Sequence, residues 1–291
     1  MGFFKNIFKR KKEDPDQRLR ELLEDYELPS FPNSVMKVLE MLRDPDAPLK
    51  DISRLIEADP GMHVTVLKTV NSAAFGLSRK IGNIQHAISL LGKNRLESII
   101  LPIAVKNAVP KIELYCLNQQ DFWKISAKRA CLAKAIAGIL HPTSQAECFT
   151  AGLLQDMAVP VLLHIKEKKY CMTLEMWNED TGSSLEKLER QTFGLDHQGV
   201  GALMAEKWQF PTDLLEAILH HHNTDDSRTS VPKAVTAVSQ IRYSQELADG
   251  VCDEAMLTVL EETLDISPSA TEKILEKANM EANEFYSIFT S

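Results

Sequence analysis

The sequence predicts an all-α protein: an N-terminal helical layer, a helical bundle, and C-terminal helices packed on it. From Leu19 onward apolar residues recur at helical spacing almost everywhere. Runs of Val, Ile, Thr and aromatics bounded by turn residues are hard to find, and 12 glycines and 13 prolines in 291 residues leave few hairpin signals. Start and stop residues fall where helix-end chemistry puts them. A chain of this length with 44% hydrophobic residues buries roughly 75% of its unfolded surface, enough for one large or two small cores.

Asn33 or Ser34 caps a helix that carries Val35, Val38, Leu39 and Leu42 on one face and stops before Asp44-Pro45. The next helix turns Ile52, Leu55 and Ile56 inward and ends at Asp59. Asp59-Pro60 then starts another, because Asp accepts free amide protons and Pro at the first position lacks one. Leu67 and Val70 continue its buried face. Gly76 and Gly92 suit helix ends that need a left-handed residue, and Ile84, Ile88 and Leu91 repeat helically between them. A helix from Leu96 to about Val109 contains Pro102, which cannot donate its backbone hydrogen bond and predicts a kink. Longer helices fit Phe122 to Leu140, Ala146 to Leu163, Ser184 to Phe193, His197 to Trp208 and Asp213 to His222. Two or three more follow Pro232, the last capped near Ser269 or Thr271.

A net charge of −8 disfavours nucleic acid, which needs a basic face to release counterions. Cys116, Cys131, Cys148, Cys171 and Cys252 are widely spaced, odd in number and form no C-x-x-C pair, so they read as buried thiols in a reducing cytosol, not a disulfide or zinc framework. No stretch approaches the ~20 apolar residues of a bilayer span. A cytoplasmic location is expected. There is no phosphate loop, no nucleophile elbow and no dinucleotide fingerprint.

Residues 1–18 stand apart as a basic amphipathic tip and a polar linker. Phe3, Phe4, Ile7 and Phe8 share one side of a helix, while Lys5, Lys9, Arg10, Lys11 and Lys12 are basic. Such a tip makes weak peripheral contact with an anionic inner-membrane surface, docks in a partner's groove, or stays a solvated tail.

Across residues 20–245 the chain resembles the HDOD family. The resemblance runs through Leu28-Pro29 with Pro32, Asp44-Pro45-Asp46, Asp59-Pro60, Asn71-Ser72-Ala73, Phe75-Gly76, Ile81, Ile84, Ala87-Ile88 and Leu91-Gly92. It continues in Phe122-Trp123, Ala151-Gly152-Leu153-Leu154, Val200-Gly201-Ala202, Pro211, Ile218 and His221-His222. This implies an HDOD domain over 19–245, with its helical layer at about 19–110 and an HD-like bundle at about 118–245, followed by a helical extension at 246–291.

HDOD domains are related to HD-type metal phosphohydrolases, in which a His, a His-Asp pair and an Asp from three helices converge on metal. The resemblance puts Ile125 at the first His, Gln155-Asp156 at the pair and Gln240 near the final Asp, so only Asp156 survives. Ile has no lone pair, and a Gln amide is a poor substitute for imidazole or carboxylate. If even an outer-sphere partner is worth 10–100-fold, three lost ligands cost at least ~4–8 kcal/mol, about the whole ~8 kcal/mol of a micromolar site. On this count no metal or other cofactor is expected, and the site becomes ordinary core.

Asp156 with His197, His221 and His222 is the one constellation left that could collect a metal and activate water. Against it stands the reading of His220, His221 and His222 as solvent-facing residues at a helix end. Asp59, Asn71 and Ser72 read as caps and turn-formers, and Trp123 and Trp208 as core anchors. The resemblance therefore implies a non-catalytic bacterial signal-transduction module acting through protein contacts. Its partner would be a histidine kinase, a response regulator or a cyclic-di-GMP enzyme. Two alternatives stay open: a residual phosphohydrolase, and a nucleotide receptor using the vacated pocket.

Overall fold

Helical periodicity becomes helix almost throughout the computed structural model, which describes residues 23, 26–28, 30–77, 79–179, 183–223, 231–242 and 254–290. The tip residues Phe3, Phe4, Ile7, Phe8, Lys9 and Arg10 lie outside the described residues, as does Cys252. The chain divides into two compact units, each discontinuous in sequence. The first comprises Met1–Ser30, Val109–Gln119 and Gln155–Val231; the second comprises Phe31–Ala108, Gln120–Leu154 and Pro232–Ser291.

The second unit begins with α1 (Asn33–Arg43), α2 (Leu49–Glu57) and α3 (Pro60–Val70). The N-cap of α1 is Pro32, so neither Asn33 nor Ser34 caps it. Asp59 does cap α3, accepting the Met62 amide at 3.0 Å. Leu55 and Leu67 are half-buried where full burial was expected. Asn71 staples the loop beyond α3: its side-chain amide donates to the Leu67 and Ile81 carbonyls at 2.8 and 2.9 Å, and its oxygen accepts from the Ile81 amide. Gly76, at φ 62°, closes the short 3-10 turn Ala73–Phe75 in the left-handed region. Next come α4 (Ile84–Leu91) and α5 (Lys93–Ala108), which continues through Pro102.

The long α6 (Gln119–Leu140) and α7 (Gln145–Leu154) follow. A Cβ placed on Gly152 of α7 would sit 2.9 Å from the Arg129 carbonyl oxygen and 3.2 Å from the Ala130 Cα of α6. Backbone cannot retreat like a flexible side chain. Gly152→Ala should therefore destabilise by about 1–3 kcal/mol, although helix propensity alone favours Ala by about 1 kcal/mol. Urea unfolding reads the sign directly, and a more stable variant would refute the close approach. After α12 (Lys233–Val238), α13 (Glu254–Thr258) and a π-turn (Val259–Thr263), the unit ends in α14 (Pro268–Thr290). Phe285 and Phe289 of α14 complete an aromatic cluster with Phe149 and Trp123.

The first unit contains a small hairpin, β1 (Glu113–Leu114) paired with β2 (Leu117–Asn118). The single helix expected from Ala146 to Leu163 is two: α7 stops at Leu154, residues 155–158 form a turn, and α8 runs Val159–Glu179. A non-helical residue, Glu167 at φ 29°, breaks α8 again. The span Pro142–Glu179 is apolar and long enough to cross a membrane, but it contains this turn and is mostly buried in the protein. After α9 (Leu185–Phe193) come α10 (His197–Lys207) and α11 (Thr212–His220).

The reading of five free thiols is corrected: Cys116 of the hairpin turn and Cys171 of α8 form a disulfide. Their 55-residue separation concealed a Cα–Cα distance of 5.3 Å. Cys131 and Cys148 are free and buried.

Candidate metal centre

Three segments of the first unit deliver the site. Gly194, at φ 72°, ends α9 and turns the chain into α10. Asp196 caps α10 by accepting the Gly199 amide at 2.8 Å and is held from the other side by the Arg190 guanidinium. This fixes His197 as the first residue of α10. Gly201, one turn on, lets α11 approach: a Cβ there would lie 2.9 Å from Ile218 Cγ2. The end of α11 then brings in His221 and His222, and the 155–158 turn brings in Asp156.

These residues converge. His197 Nε2 lies 3.1 Å from His221 Nε2, 3.1 Å from His222 Nε2 and 3.5 Å from Asp156 Oδ1. His221 Nε2 is 3.1 Å from Asp156 Oδ1. Asp156, His197 and His221 are buried and His222 partly so. The expectation that these consecutive histidines face solvent therefore fails for His221, which the close α10–α11 packing turns inward.

The tautomers follow from the outer contacts. His197 Nδ1 donates to Glu189 Oε2 at 2.6 Å, and the same oxygen accepts the His197 amide at 2.9 Å. Glu189 Oε1 accepts from the Tyr170 hydroxyl. His221 Nδ1 donates to the Ile218 carbonyl at 2.7 Å. With both Nδ1 protons so used, the Nε2 atoms of His197 and His221 face each other and a carboxylate, each as a lone pair where its ring is neutral and as an N–H where its ring is charged. Nitrogens and a carboxylate oxygen this close can share protons or hold a cation. A single proton serves one contact at a time, whereas a metal ion serves all four.

The electrostatics agree. Burial opposes charge on His197, yet Glu189, by charge and hydrogen bond, together with Asp156 and Asp196, pushes its pKa up to about 9. Burial lowers that of His221 and keeps it neutral. The field at His197 therefore favours positive charge. The four candidate ligand atoms all lie within 4.8 Å of one another, and the separations given above run from 3.1 to 3.5 Å. Zinc bound at about 2.0–2.2 Å in a tetrahedron sets neighbouring ligand atoms about 3.3–3.6 Å apart, and six-coordination brings them nearer about 3.0 Å.

The positions inherited from the HD pattern fare differently. Ile125 is fully buried on α6 in the second unit, and Gln240 is exposed. Gln155 is buried beside Asp156, and neither atom of its side-chain amide has a hydrogen-bond partner among the described residues. Such a group costs about 1–3 kcal/mol unless water or a ligand meets it. The surroundings of Asp156 are thus polar and imidazole-rich, not the ordinary core expected. Counting only the HD positions left out three imidazoles from other elements. Sequence reasoning also missed Glu189 and Tyr170. Glu189 sits four residues after the buried Leu185 on the inward face of α9, and a carboxylate at that register was the available signal.

This all-helical architecture, with a His- and Asp-lined centre, defines a protein of HD-like fold. The HDOD domain model matches residues 28–224, and the chain belongs to the HDOD domain family. An uncharacterized protein of Treponema pallidum (strain Nichols) is 20% identical over 225 residues, covering 77% of this chain and 43% of that protein. The chain spans less than half the length of the curated relatives it matches. Among solved structures, a candidate phosphohydrolase from Shewanella amazonensis SB2B superposes with a TM-score of 0.69 at 22% identity, covering 92% of this chain and 97% of that one. A candidate signal transduction protein from Marinobacter aquaeolei VT8 gives 0.64 at 16% identity, covering 99% and 65%. At these identities the likeness concerns the fold.

Proposed function

We propose that this protein is a signal-transduction module that binds one divalent transition-metal ion through Asp156, His197, His221 and His222, and that the ion is structural or regulatory. The convergence of three imidazole nitrogens and a carboxylate oxygen, with the Nδ1 atoms of His197 and His221 turned outward to oxygen acceptors, carries this reading. Four protein ligands close a tetrahedral site, while catalytic zinc sites keep a position open. The family supports the signalling role, and the module then acts through a separate protein, a histidine kinase, a response regulator or a cyclic-di-GMP enzyme.

Full-length protein equilibrated with Zn²⁺ and desalted should retain one equivalent by elemental analysis. His220→Ala, which alters a partly exposed neighbour of the cluster, should retain it too, and Asp156→Ala should lose it. Retention of no ion by the unaltered chain would falsify the proposal. A second reading, residual phosphohydrolase, draws on the thiolate-free donor set, which also suits a six-coordinate ion with two open positions. Turnover of a chromogenic phosphodiester in Mn²⁺ that vanishes in Asp156→Ala would establish it; no turnover is expected.

A further inference from the structure

We infer that the Cys116–Cys171 disulfide is a reversible redox latch that sets the metal affinity of the site. The inference rests on the metal reading above. Cys171 adjoins Tyr170, whose hydroxyl donates to Glu189, and Glu189 in turn holds His197 by both its ring and its amide. An unbroken path of bonds thus runs from the disulfide to the first ligand of α10. Outer partners that orient a ligating imidazole are typically worth 10–100-fold in metal affinity.

The latch has something to hold. The break at Glu167 separates residues 168–179 from the first part of α8, so that segment is not fixed in line by a continuous helix. The segment is also held by the stacking of Tyr170 on Phe193, at 5.7 Å and 15°, by the packing of α8 on α9 and by the burial of Leu174 and Trp177. The disulfide adds a covalent tie to the hairpin. Cys116 is partly exposed and Cys171 buried, so a reductant would approach the bond from the hairpin side. The free thiols lack that chemistry: burial raises the Cys131 pKa far above its ordinary value and, with Glu147, pushes Cys148 up to about 12.

The exchange balances simply. A dithiol reductant attacks the disulfide, the Cys116–Cys171 bond breaks, and two electrons and two protons pass to the protein as two thiols. The reductant leaves as its own disulfide. A disulfide oxidant reverses the step.

Co²⁺ titration of the full chain, followed by its visible absorption, tests the latch. Oxidised protein should bind Co²⁺ about 10–100-fold more tightly than reduced protein. Cys116→Ser/Cys171→Ser should bind weakly under both conditions. Tyr170→Phe should lose affinity when oxidised and change little on reduction, because it cuts the same path. Equal affinity in the oxidised and reduced forms would overturn the latch while leaving the metal site standing. A thiolate charge-transfer band in the reduced protein would overturn it as well, since the freed cysteines would then be ligands. Absence of binding in both forms would remove latch and metal site together.

Discussion

His197→Ala should weaken Zn²⁺ binding by at least about 100-fold, or about 2.7 kcal/mol, the upper end of what an outer partner alone contributes. Two losses compound in this variant. The site loses the nitrogen that lies 3.1 Å from the Nε2 of both other imidazoles, and Glu189, fully buried, loses the ring that satisfied it. His222→Ala should cost less, since His222 is only partly buried and its loss leaves the Glu189–His197 pair intact. Competition against a chromophoric chelator measures both. Equal losses at the two positions would mean that Glu189 does not orient the site.

Trp123→Ala should destabilise the second unit by about 3–5 kcal/mol. The side chain is 1% exposed and meets Phe122 and Phe289 edge-on at 4.8 and 5.3 Å, so truncation opens a cavity between α6 and α14. Set against a typical total of about 5–15 kcal/mol, that is a large share. Trp123→Phe should be much milder: it keeps most of the apolar volume and removes an indole N–H that has no hydrogen-bond partner among the described residues. Chemical denaturation of both variants decides the matter, and a loss under about 1 kcal/mol in the alanine variant would show that the cluster is not packed as described.

Local chemistry was readable and long-range convergence was not. Asp59-Pro60 caps as its side chains predict and Gly76 turns left-handed as its lack of one allows, because a cap or a left-handed turn is decided within a few residues. The Ala146–Leu163 helix misled because an unbroken apolar pattern says nothing about a turn at 155–158 that re-aims Asp156. Periodicity sees burial, and both sides of that turn are buried. Asp156, His197, His221 and His222 could be named as a set, but only the capped entry to α10 and its glycine contact with α11 show that they meet. The Cys116–Cys171 pairing depended on the same kind of folding over distance and left no trace in spacing.

The chain crosses between its two compact units five times. The metal-bearing unit is therefore not a cassette: no single stretch encodes it, and a fragment such as 155–231 would leave behind the hairpin that carries Cys116. Any fusion or transplant must carry the whole weave. Every piece of that unit up to His222, the last ligand, must also leave the ribosome before the ion's pocket can form.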